Sequence, residues 1–150
     1  MTYASVKAAI LAHAAAAGAA LSDPVYDALD GAPVPRGRSI RVYWAGETEP
    51  RKMGAQRDLT GELVAEITRV TLFLPLSAND ERQAAAVDAQ VYDFKHDLRT
   101  RLHADSQLGG TCDDLSMDYA TPDFAVLNNT RYVILDIDVT TDYTEYPIAP

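Results

Sequence analysis

Apolar residues recur at helical spacing twice along this chain and at strand spacing four times. The first helical stretch, residues 6–20, places Val6, Ile10, Ala14 and Ala17 on one stripe, with Ser5 able to cap it. Alanine is the strongest helix former, so propensity agrees with the pattern. The stripe has few large side chains, which suits close packing against a sheet or another helix. Ser22-Asp23-Pro24 stops the helix, 25–29 suits one short further turn, and 31–37, with Pro33 and Pro35, reads as loop. Strand alternation then begins over 39–44, where Ile40, Val42 and Trp44 alternate with Arg41 and Tyr43. A longer strand covers 62–76. Both its faces are partly apolar, so it belongs at the centre of a sheet or is covered on both sides.

The second helical stretch is the stronger one. Asn79 can cap it, and Asp80 and Glu81 favour its positive end. Ala84, Val87, Val91, Phe94, Leu98 and Leu102 make one stripe over 79–105. Lys95, Arg99 and Arg101 sit toward its negative end, and Gly109-Gly110 ends the segment. Residues 111–120 read as a strand with Leu115, Met117 and Tyr119 inward. Residues 122–130 read as a connection carrying the turn signal Asn128-Asn129. Residues 131–141 are the clearest strand, with Val133, Leu135, Ile137 and Val139 alternating with Ile134, Asp136 and Asp138. The tail, 144–150, reads as an extended or frayed end. The pattern predicts an α+β fold: a mixed or antiparallel sheet of about four strands, packed with an N-terminal helix and one long central helix. It shows neither an internal repeat nor a domain boundary, so 1–150 is expected to form one domain.

Composition narrows the function classes. The chain has 150 residues, 47% of them hydrophobic, enough to fill a core without covalent staples. Its single cysteine, Cys112, excludes an intrachain disulfide and a cysteine metal cluster, and is expected to pack in or near a strand. The net charge of −9 argues against tight nucleic-acid binding and against docking on an anionic membrane. The same charge suits a surface that DNA slides past. The Ala-rich stretch 10–21 follows Lys7, but His13 interrupts it and the basic region is a single Lys, so a signal peptide is not expected. The chain is expected to be soluble.

Candidate chemistry is sparse. Asp136 and Asp138 share a strand face, and Asp113, Asp114 and Asp118 lie on the preceding strand. Neighbouring strands would let several carboxylates converge on a cation; solvated strand faces explain the same aspartates. His13, His96 and His103 lack ligand spacing, although His96 and His103 share a helix side. Nucleotide-binding glycine loops and the Gly-x-Ser-x-Gly elbow are both missing from the sequence. No cofactor, metal or catalytic residue is therefore expected. The segment 45–61 stands out as a long internal loop with Arg51, Lys52, Met53 and Arg57 in an acidic chain. Loops of this length are uncommon unless they are functional or disordered. It is the candidate partner-contact loop.

The order helix, strand, long loop, long strand, long helix, strand, strand resembles that of the tail terminator proteins of long-tailed bacteriophages, also called tail completion or minor tail U-like proteins. The resemblance rests on the opening helix, the strand pair 40–44 and 62–76 ending VTLFLPL, the helix 81–104 and the closing RYVILDIDVTTDY. It covers nearly the whole chain and rests on element order and texture. It implies a virion structural protein, not an enzyme: a homohexameric ring that caps the tail tube and stops its polymerisation. The implied partners are further copies of the chain, the tail tube protein and the head-tail connector, with genomic DNA passing through the lumen and no membrane. The implied location is the virion tail or neck, and the host cytoplasm during assembly. Two other readings stay open, another head-tail connector or neck protein and a small α+β metal- or ligand-binding enzyme.

Overall fold

The computed structural model describes residues 3–18, 25–27, 38–52, 62–76, 81–127 and 129–145. The fold is α+β. Helix α1, Tyr3–Gly18, starts earlier than the capping pattern implies, so Ser5 lies inside it. The extra residues at its start include Tyr3, which packs against the core and whose hydroxyl lies 3.0 Å from Thr68 Oγ1. Helix α2, Glu81–Ala104, follows the expected long helix; Asn79 and Asp80 lie outside the described residues.

Among the described residues six strands form one sheet: β1, Val25–Asp27; β2, Ser39–Lys52; β3, Glu62–Leu76; β4, Asp114–Tyr119; β5, Asp123–Leu127; and β6, Thr130–Glu145. Their order is β1-β2-β3-β6-β4, with β5 also paired to β6. The β1–β2 pair is parallel and the other pairs are antiparallel, so the sheet is mixed. The four expected strands are present and two more join them. β1 replaces the helical turn expected over 25–29: Val25, Tyr26 and Asp27 pair with Ile40, Arg41 and Val42. β5 lies inside the expected connection 122–130. The pair Leu127↔Thr130 leaves two residues between β5 and β6; Asn129 is in a turn at φ 62, and Asn128 lies outside the described residues.

The largest difference is in β2. It runs to Lys52, where the sequence pattern ends at Trp44, so the first half of the expected loop 45–61 is paired strand. Gly46 and Pro50 break the alternation, but two register shifts, at Trp44/Gly46 and Thr48/Arg51, absorb them. The long β3 lies between β2 and β6 and supplies partners over its whole length, which outweighs weak local propensity.

Both helices pack on one face of the sheet. α1 lies toward β1, β2 and β3, and α2 toward β3 and β6, with the helices touching. The shared core joins Val6, Ile10 and Ala14 of α1 to Val87, Val91, Phe94, Leu98 and Leu102 of α2. Beneath them lie Ile40, Val42, Val70, Leu72, Leu74, Leu135, Ile137 and Val139. Burying each of the large aliphatic side chains contributes about 1.5–3 kcal/mol. Two inward expectations are modified. Leu115 is buried, whereas Tyr119 at the sheet edge is 37% exposed. Trp44 is 47% exposed, with its indole N–H donating to Glu66 Oε2 at 2.6 Å. α2 ends in a reversal at Leu108, Gly109 and Gly110, with φ of 47, 67 and 89. Burial of the Leu108 side chain holds that residue in the left-handed region.

Candidate functional site

The two halves of the sequence-predicted contact loop meet different fates. Arg51 and Lys52 lie in β2, opposite Leu63 and Glu62 of β3. Met53 and Arg57 lie outside the described residues. The pair Lys52↔Glu62 is the last of the β2–β3 pairing. The paired backbone thus runs eight residues past Trp44 and includes both basic positions.

The sheet face away from the helices holds a polar array that alternation alone left undefined. Tyr43, Arg69, Asp138 and Asp118 occupy one transverse row across β2, β3, β6 and β4. Arg69 donates to both carboxylate oxygens of Asp138, at 2.8 and 3.2 Å. The hydrogen bond to Asp138 raises the Arg69 proton affinity above its ordinary value; burial opposes this, and Tyr43 adds to it. In the next row the Thr71 hydroxyl donates to Asp136 Oδ1 at 2.7 Å. In the same row Arg41, only 7% exposed, lies over the Phe73 ring, which meets Tyr132 edge-on.

β4 and β6 are neighbours, as convergence of the aspartates requires, and Asp118 faces Asp138 while Asp114 faces Asp142. Yet Asp138 is engaged by Arg69, Asp136 by Thr71, and Asp114 by the Leu115 N–H at 2.9 Å. Among the described residues, no group of three or more His, Cys, Asp or Glu side chains is placed to hold a metal ion. Arg69 was the missed residue here. Its signal was legible, since it is the only cation in 62–76.

The histidines separate. His96 stacks on Tyr92, with ring centroids 5.9 Å apart. His13 does something the sequence gave no sign of: its Nε2 lies 2.9 Å from Asp105 Oδ2, tying α1 to the residue after α2. The other Asp105 oxygen accepts the Gly109 N–H at 2.9 Å. These contacts, His13 first and Gly109 second, hold the Asp105 carboxyl below the usual carboxylate range. Cys112 is buried as expected, just before β4, with Sγ 3.6 Å from the Ser106 carbonyl. Burial first, and then the nearby Asp113, Asp114, Asp105 and Asp142, push its thiol up to about 11.

The remaining surface of interest is apolar. A groove of about 130 Å³ lies between α2 and the β5–β6 hairpin, lined by Leu76, Val87, Val91, Pro122, Phe124 and Val133, with Asp88 at its lip. Phe124 and Val126 on β5 are 58% and 71% exposed. Lys95 Nζ sits 5.3 Å from the Tyr92 ring and 5.0 Å from the Tyr119 ring. Tyr92, Tyr119, Phe124 and Val126 lie on α2 or on the β4 and β5 edge, leaving Trp44 as the one exposed large hydrophobic elsewhere among the described residues. That edge therefore holds most of the exposed large hydrophobics among the described residues.

No known family model matches the sequence, and a search of curated proteins finds no relative.

Proposed function

We propose that this chain is a virion structural protein of a long-tailed bacteriophage, a tail terminator that closes the tail tube as a ring of six copies. The observation that carries the reading is the β2–β3 ribbon, whose backbone pairing runs on to Arg51 and Lys52 in a chain of net charge −9. A long two-stranded ribbon is suited to reaching a neighbouring subunit. Basic residues at its end suit contact with an acidic neighbour. The sequential order of α1, the β2–β3 pair, α2 and the closing strands supports the same assignment.

In this reading the ring docks on the tail tube protein with one face and receives the head-tail connector with the other. DNA passes through the centre without specific binding, and the negative charge keeps the wall from holding it. The protein acts in the virion tail and is assembled in the host cytoplasm. It needs neither cofactor nor catalytic residue. Electron microscopy of the purified protein, alone and with tail tubes, tests this. Sixfold rings are expected, and phage production without the protein should yield abnormally long tails. Normal-length, head-attached tails in its absence would overturn the reading.

A further inference from the structure

We infer that β5 is a self-complementary sheet edge through which two copies of this chain pair, antiparallel and two-fold. Within the hairpin, Leu127↔Thr130 flanks the two-residue turn and is a hydrogen-bonded pair; Ala125↔Tyr132 and Asp123↔Ile134 follow at alternate positions. Phe124 and Val126 therefore direct their N–H and C=O groups away from β6. The Phe124 N–H confirms this, because it donates to Asp123 Oδ1 at 2.8 Å. Among the described residues β6 is the only strand paired with β5. The same two residues carry the exposed apolar side chains, so backbone and side-chain demands coincide. Charged side chains and proline, which commonly blunt an edge, are absent from Phe124 to Leu127.

The occupant follows from symmetry. An antiparallel pair centred on Ala125 sets Phe124 of each copy opposite Val126 of the other. Both pairs are narrow ones that exchange two backbone hydrogen bonds. Apolar meets apolar on one face, and the small Ala125 faces itself on the other. Asp123 comes opposite Leu127, so like charges do not oppose each other. The adjoining edge strand behaves differently. β4 centred on Ser116 would set Asp114 against Asp118 of the second copy, a repulsive arrangement. Pairing at β5 requires the Asp123 carboxylate to release the Phe124 N–H, so this aspartate guards the edge.

The contact is two-fold and cannot alone close a six-membered ring; it stands apart from the ring reading. Particle mass by light scattering tests it, comparing the wild type with Val126→Lys and Asp123→Ser. The wild-type particle should have twice the mass of the Val126→Lys particle, whether the step is dimer to monomer or double ring to ring. Asp123→Ser should shift the midpoint of association to lower protein concentration. Thermal melting confirms that Val126→Lys, changed at an exposed position, is folded. Equal masses for the wild type and folded Val126→Lys up to the solubility limit overturn the pairing. Sixfold rings of Val126→Lys in micrographs, at half the wild-type mass, support it and leave the ring reading intact.

Discussion

Cys112 shows how far position alone sets side-chain chemistry. A thiol at about 11 leaves a thiolate fraction on the order of 10⁻⁴ at pH 7. An unfolded cysteine, near 8.5, carries a fraction roughly 300 times larger. The more basic thiolate is the better nucleophile, which offsets part of that difference, so native protein should react with a disulfide reagent such as DTNB at least about 20-fold more slowly than protein in guanidinium, a comparison read directly by absorbance. Fast native labelling would mean that the segment around Ser106 and Cys112 opens readily. At this scale the sequence indicated that Cys112 packs near a strand and that Asp136 and Asp138 share a face. It did not indicate which cation meets which anion. Arg69 engages Asp138 because two strands far apart in sequence share a register, and register is set by the whole sheet.

Among the elements, the long strongly periodic ones were legible and the short or interrupted ones were not. α2, β3 and β6 each satisfy one periodicity over many residues. β1 is three residues long and exists through its pairing with β2, while β5 keeps Phe124 and Val126 exposed, so neither shows the pattern of a half-buried strand. The thin stripe of α1 did announce close packing, and the contact is tight: a side chain at Gly18 would run into Ile40 Cδ1. Gly18→Leu should cost about 1–3 kcal/mol, the usual penalty for overfilling a packed interface. Urea unfolding measures it as a lowered midpoint at unchanged slope. The candidate contact loop illustrates the reverse error, since Gly46 and Pro50 read as loop residues and are carried by two register shifts in β2.

For the molecule as a whole, a polar contact of His13 with Asp105 joins the helix layer to the reversal after α2. The Asp105 carboxyl is depressed in the folded chain, so its contribution is fully present above the ordinary carboxylate range. The contribution is lost as pH falls through the folded value. His13, the Gly109 N–H and Cys112 are the groups around it. Melting temperatures of the wild type and Asp105→Asn should differ most near neutral pH and converge in acid. A constant difference across pH would show that the ionised carboxylate is not what matters.

The strand order has a consequence for how the chain comes to be folded. β3 and β4 run parallel, and the slot between them is filled by β6, which follows both in the chain. Both helices, with β2 and β3, can begin to associate while residues 130–145 are still within the ribosome. The sheet cannot close until that final segment arrives, and a nascent chain meanwhile presents two strands awaiting the same partner. Contacts of such long sequence separation slow folding and lengthen exposure to aggregation. The vulnerable interval is the one before residues 130–145 emerge from the ribosome.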